Sequence, residues 1–328
     1  LEGMVHGLRQ AVDLLLSIFP FELPFLEAHG VPVRFVGHPL AAAMPLEPDR
    51  RAARQALGLA ADAPVLAVLP GSRNSELDAL GGDFLAAAAH CAAHIPGLQV
   101  VVPLVREAHV ERLAALRRAA GCPLQPLIRV GESRRMLAAA DLVLTASGTA
   151  TFETLLSKRP MVVGYRLHWL TYRIAKTLRL VKTRHIAMAN LLADERLAPE
   201  LLQDACTPQA LADALLALHR DPARVAAIQA RYTAIHQGMV RDSNREAAAA
   251  VHERFLETLV VRPHREVVAK VPLPENTRGV AFIPERLGQR DFLGFHHRSS
   301  LEGVDAASPV VVAPGHEAGT SGRADRGN

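Results

Sequence analysis

The sequence predicts an α/β protein built on a doubly wound parallel sheet, and three observations carry that prediction. From Pro64 onward, short runs rich in valine and leucine alternate with longer stretches rich in alanine and leucine. The short runs are almost continuously apolar, which is the pattern of strands covered on both faces by helices. Two of the runs end in small-residue turns, LPGSRNSE at 69–76 and TASGTATFE at 145–153. Such turns belong where strands give way to helices at the ligand edge of an open sheet.

Taken in order, LLLSIF at 14–19 reads as a strand, ELPFLEAHG at 22–30 as a helix closed by Gly30, and VRFVG at 33–37 as another strand. These are too few elements for a domain, so residues 1–40 read as the end of a preceding domain, with 41–63 as a linker. Strands are then expected at 65–69, 99–102, 126–130, 141–145 and 161–164. The helices between them are expected at 75–93, 107–120, 132–140 and 149–158. The whole stretch 64–206 is one Rossmann-like domain. Ala-rich helices fill 207–258, broken at Asp221-Pro222 and near Gly238, because proline cannot continue a helix and glycine weakens it. From about Val260 the composition turns to Pro, Gly, Arg and His without periodicity, so 259–328 reads as a weakly structured tail.

At 328 residues with 49% hydrophobic content, the chain can bury a substantial core. No apolar run is long enough for a bilayer-spanning helix, and neither the cationic start nor the cleavage site of a signal peptide is present. Cys91, Cys122 and Cys206 are an odd number at spacings of neither a zinc site nor a disulfide framework, which fits a reducing cytoplasm. The net charge of +4 is modest, but Thr154–Ala193 carries eight Lys or Arg and no acid.

The two turns hold the candidate site. Gly71 permits close backbone approach, Ser72 offers a hydroxyl, and Arg73 places a fork of donors at the mouth of the sheet. Ser147, Gly148 and Thr149 can bring amide and hydroxyl donors to an anion without side-chain bulk. Glu153 follows Thr149 by one helical turn and shares its face. A capping box would need Ser or Thr at position 150, where Ala stands, and position 157 holds no cation to pair with the glutamate. The reading is a turn for phosphate and a carboxylate for ribose hydroxyls, as a nucleoside diphosphate requires; a merely solvated glutamate and an ordinary capped turn are the plainer alternatives. No G-x-G-x-x-G, G-x-x-x-x-G-K or G-x-S-x-G is present, which argues against a nicotinamide fold, a P-loop and a hydrolase elbow. The absence of D-x-D argues against a metal-bridged diphosphate, leaving Arg73 and backbone dipoles to stabilise a departing one. No metal and no cofactor are expected.

Four blocks in order, FPFELPFLEAHGVPVRFVGHPL, LPGSRNSEL, LTASGTATFETLLSKRPMVVGYR and NLLADERLAPELLQDACTP, resemble the lipid-A-disaccharide synthases from about Phe19 to Leu256. The resemblance implies the C-terminal half of an inverting GT-B glycosyltransferase, an enzyme of two Rossmann-like domains facing across a cleft. It implies transfer of a diacylglucosaminyl group from a UDP-linked donor to the 6-hydroxyl of diacylglucosamine 1-phosphate, with release of UDP. Arg73 and Ser147–Thr149 would then face the diphosphate, Glu153 the ribose, and Asn190 would lie near the donor site. The family's N-terminal domain, which binds the acceptor and supplies the proposed base, is expected to be mostly missing. Asp13 and Glu22 are the acids nearest that region, and no motif makes either one catalytic. A UDP-sugar-binding or membrane-associating remnant without catalysis is the competing reading; a related UDP-sugar transferase or epimerase is a third. No nucleic-acid partner is expected, and a homodimer is left open.

Within the acid-free block, a helix over 168–180 would set Trp169, Tyr172, Lys176 and Arg179 near one face and Leu170, Ile174, Ala175 and Leu178 on another. That arrangement suits an anionic membrane surface at the inner face of the cytoplasmic membrane, where diacylated substrates would be met. The plainer reading packs the apolar stripe on the sheet and leaves the cations in water.

Overall fold

The computed structural model describes residues 2–166, 185–260 and 279–282, all within the unit Leu1–Gly288. The proposed membrane-facing helix at 168–180 lies outside the described residues, as does most of the tail.

The chain opens with helix α1 (Glu2–Ala11), strand β1 (Val12–Ser17), helix α2 (Leu23–Ala28) after a 3-10 turn at Pro20–Glu22, and strand β2 (Val33–Phe35). Two short helices follow in the segment expected to be a linker, α3 (Pro39–Ala43) and α4 (Arg50–Leu57). Helix α4 starts at Asp49, whose carboxylate accepts from the Ala52 amide at 2.9 Å, and ends on Gly58 in the left-handed region. Its pattern escapes a hydrophobicity count because Arg54 is among the residues it buries. The guanidinium of Arg54 donates to the carbonyls of Ala61, Ala63 and Ala139 and to Asp141 Oδ2 at 2.7 Å, so the buried charge is fully partnered.

The main domain then runs β3 (Val65–Leu69), α5 (Asn74–His94), β4 (Gln99–Leu104), α6 (Ala108–Ala119), β5 (Leu127–Val130), α7 (Ser133–Ala139), β6 (Leu142–Ala146), α8 (Thr149–Leu156) and β7 (Met161–Tyr165). After residue 184 come α9 (Met188–Ala193), β8 (Glu200–Leu202), α10 (Pro208–His219), α11 (Pro222–Met239), α12 (Ser243–Val260) and β9 (Gly279–Phe282). Helices α10 and α11 both begin with an N-cap and a proline: Thr207 accepts from Ala210 and Asp221 from Arg224.

Among the described residues, six strands form one parallel sheet in the order β5-β4-β3-β6-β7-β8. Counted from β3, this is the order 3-2-1-4-5-6, the doubly wound arrangement whose direction of winding reverses between β3 and β6. Those two strands pair in register from Leu66↔Leu142 to Leu69↔Thr145, so they end side by side. A second parallel sheet, β2-β1-β9, is formed by the first strands and by residues 279–282. Side chains of β1 divide between two cores, Leu14 and Leu16 facing the large sheet's core, and Val12 and Leu15 a smaller one with Val5, Leu26 and Val31.

The small-sheet segments grip α8. Phe19 meets Phe152 edge-on with ring centroids 5.4 Å apart, and His38 lies 4.5 Å from the same ring. At the other end of α8, Lys158 Nζ donates to the Leu156 carbonyl at 2.6 Å, to the Pro45 carbonyl at 3.2 Å and to His236 Nδ1 at 2.6 Å. His236 Nε2 in turn donates to the Ala41 carbonyl at 2.8 Å, which fixes the tautomer because a carbonyl only accepts. Burial lowers the pKa of both partners, that of Lys158 to about 8.

Candidate functional site: a crevice at the switch point

Because β3 and β6 end together, the turns Pro70–Arg73 and Ser147–Thr149 lie next to each other at the carboxyl edge of the sheet, where such folds bind ligands. The two turns are built differently.

In the first, Gly71 takes a φ of 122°, and the chain curls around Glu76 on the first turn of α5. One carboxylate oxygen, Oε2, accepts from the Ser72 amide at 2.8 Å and from the Arg73 amide at 3.2 Å. The other, Oε1, accepts from Arg73 Nη1 at 2.9 Å. The amides that the sequence offers to a phosphate are therefore already bound to an internal anion. What remains is the exposed guanidinium, whose Nε and Nη2 make no hydrogen bond among the described residues, and the exposed Ser72 hydroxyl.

In the second turn no side chain caps α8. Gly148 is the N-cap with φ 134° and ψ −155°, a region essentially confined to glycine, and a Cβ placed there would meet none of the described residues within 4 Å. Among the described residues, the Thr149 and Ala150 amides at the helix start make no hydrogen bond, and they lie at its positive dipole end. Gly148 and Thr149 are exposed, while Ser147 donates its hydroxyl to the Ile186 carbonyl at 3.3 Å.

One turn further along α8, Glu153 is half-buried and accepts from Ser133 Oγ at 3.1 Å. Ser133 opens α7 at the end of β5, so this bond brings a third strand-to-helix turn to the crevice. Asn190 has a different place from its neighbours in the prediction. It is fully buried, its amide nitrogen donating to the Ala198 carbonyl at 2.8 Å and to Glu200 Oε1 at 2.9 Å, its oxygen accepting from the Ala198 amide at 2.8 Å. Glu200 also accepts from the amides of Ile186 and Ala187. The Met188 amide donates to Thr151 Oγ1 at 3.0 Å. Asn190 and Glu200 therefore fasten the segment 186–188 against the start of α8; both N–H groups of the carboxamide are used and its oxygen is buried on the Ala198 amide.

Nearby cations are unequal. Arg166, just past β7, is held by Asp83 at 2.5 Å and by the carbonyls of Ala79 and Cys206. Arg166 is thus tied at both of its terminal nitrogens, whereas Arg73 is held at Nη1 alone among the described residues. Glu22 sits at the end of β1, its carboxylate 2.5 Å from Ser17 Oγ; desolvation raises its pKa, and the serine bond opposes that rise. Sequence reasoning missed Glu76, Ser133 and Glu200. The R-x-x-E spacing was visible for Glu76, whereas the other two act across the fold and leave no local signal.

A doubly wound Rossmann-like sheet in this strand order has the fold of one half of a GT-B glycosyltransferase. The family model described as lipid-A-disaccharide synthetase matches residues 4–255, and the chain belongs to that family. It is 48% identical over 253 residues to the lipid-A-disaccharide synthase of Xanthomonas campestris pv. campestris, covering 77% of this chain and 58% of that protein. It is 50% identical over 247 residues to the enzyme of the same name from Pseudomonas aeruginosa, covering 75% and 64%. The chain thus spans 58–64% of the length of these curated relatives. Among solved structures, the sucrose-phosphate synthase of Thermosynechococcus elongatus superposes with a TM-score of 0.51 at 17% identity, over 78% of this chain and 61% of that one, a likeness of fold alone.

Proposed function

We propose that the crevice holds the donor of lipid-A-disaccharide synthesis, a UDP-linked diacylglucosamine. The diphosphate lies on the start of α8 within reach of Arg73, and Glu153 accepts from the ribose hydroxyls. The acceptor is diacylglucosamine 1-phosphate. Its 6-hydroxyl oxygen attacks the donor's anomeric carbon, the bond from that carbon to the diphosphate breaks, and UDP leaves with the bond's electron pair while the hydroxyl proton passes to a base. Arg73 and the α8 dipole act where charge grows on the departing diphosphate. Substrates with acyl chains place the reaction at the cytoplasmic face of the membrane. The observation that carries this reading is the uncapped, glycine-led start of α8 beside an arginine with free donors, at the point where the sheet reverses its winding.

Calorimetry with UDP tests it. Charge-assisted hydrogen bonds contribute roughly 1.5–3 kcal/mol each, so Arg73→Ala is expected to weaken UDP binding about ten- to a hundredfold per bond lost. Binding is expected to survive a chelator. Unchanged affinity in Arg73→Ala, or binding lost with the chelator and restored by magnesium, contradicts the assignment.

A further inference from the structure

The two oxygens of Glu76 do separate work. Oε2 closes the backbone of the turn through the Ser72 and Arg73 amides, and Oε1 holds the guanidinium of Arg73 by one edge. The turn is moulded around this carboxylate: a Cβ at Gly71 would stand 2.4 Å from Glu76 Cβ and 2.6 Å from its Oε2. Immediately after Arg73, the Asn74 side chain is tied to the buried His109 of α6, Oδ1 to Nε2 at 3.0 Å. Arg73 therefore stands between two anchored residues, and its own side chain is exposed and held only by Glu76 among the described residues.

We propose that Glu76 is a positioning residue that presents Arg73 to the donor diphosphate, an inference that rests on the donor-site reading above. Holding Nη1 leaves Nε and Nη2 for the ligand and removes rotamer freedom that binding would otherwise have to quench. The carboxylate also repels a diphosphate, but in an exposed turn that repulsion is weakened by water and salt. The bound geometry of the arginine decides the balance. An i, i+3 ion pair at the surface is ordinarily of little consequence. Here the same group that makes the pair also fixes the backbone carrying its partner.

Glu76→Gln separates the two tasks, because the amide keeps an oxygen for the backbone N–H groups and loses the anionic oxygen on Arg73. UDP titration calorimetry and thermal melts on the wild-type chain, Glu76→Gln, Arg73→Ala and the double variant form the test. Glu76→Gln is expected to weaken UDP binding about three- to tenfold with little change in melting, and to change nothing further in the Arg73→Ala background. Arg73→Lys, a substitution at an exposed position, keeps the charge but has no fork to serve Glu76 and ligand together; its affinity is expected to fall near that of Arg73→Ala. Wild-type affinity or tighter in Glu76→Gln, an equal loss in both backgrounds, or wild-type affinity in Arg73→Lys overturns the proposal. A wild-type chain that binds no UDP, or an Arg73→Ala variant that binds it normally, fails at the donor site itself and is recognised as such.

Discussion

The turns after β3 and β6 have similar sequences and opposite states. The first, Pro70–Arg73, is closed on itself: its amides are satisfied by Glu76 from within the same helix. The second, Ser147–Thr149, is left open: among the described residues no side chain caps α8 and none comes within 4 Å of a Cβ placed on Gly148. Each depends on a glycine at positive φ, for different reasons. Gly71 is required because the chain packs on Glu76, and Gly148 because the backbone must turn while leaving room. A glycine-bearing turn is therefore not by itself a phosphate seat. What distinguishes a seat is whether the protein has already used its donors.

The two glycines give the largest expected effects. Gly71→Ala adds backbone strain of about 1–3 kcal/mol to an overpacking cost of about 1–3 kcal/mol, and a marked fall in melting temperature is expected. Gly148→Ala carries only the strain, about 1–3 kcal/mol, but places a methyl group in the open seat. Its UDP affinity is expected to fall well beyond what its melting shift explains. If Gly148→Ala melts lower yet binds UDP normally, the open turn is not the seat.

Asn190→Ala comes next. It leaves a buried amide and carbonyl of Ala198 and one site on Glu200 unpaired, a cost of about 1–3 kcal/mol for the unmet groups. Denaturant melts are expected to show that loss, with a smaller weakening of UDP binding as the segment 186–188 loosens from α8. A large loss of affinity with unchanged stability would instead mean that the carboxamide turns to meet the ligand.

How far this was legible in the sequence follows the range of each interaction. The five strands predicted between 65 and 164 all form, since a strand buried on both faces declares itself in a continuous apolar run. The short β8 and the helix α4 did not declare themselves, one having only three residues and the other burying an arginine. The closeness of the two turns was implied by fold class and follows from strand order. That Glu76 fills one turn was within reach, as its spacing to Arg73 is local. The Ser133–Glu153 bond spans 20 residues, and only the packing of α7 on α8 creates it. The commitment of Asn190 to Ala198 and Glu200 was equally beyond a reading of types and spacings, which identify an amide but not its partners.

The smallest effect at neutral pH lies at the tied end of α8. Lys158 has its pKa lowered from 10.5 to about 8, by burial first and by Arg159 second. The folded state therefore gives up a proton near pH 8 that the unfolded state keeps until about 10.5, and unfolding free energy rises across that window by roughly 1–3 kcal/mol. Below pH 8 the cost of the buried charge is fully present. Denaturant melts from pH 7 to 10 are expected to show the rise in the wild-type chain and not in Lys158→Met. An equal rise in both assigns it to another group.

The contrast between a closed and an open turn is tested most directly by a crystal structure of the chain with UDP. The account predicts the diphosphate within hydrogen-bond distance of the amides at the start of α8 and of Arg73, with Glu153 on the ribose. It predicts as well that Glu76 remains on the amides of Ser72 and Arg73. A diphosphate seated on the Ser72 and Arg73 amides, with Glu76 swung away and the start of α8 unoccupied, would contradict it.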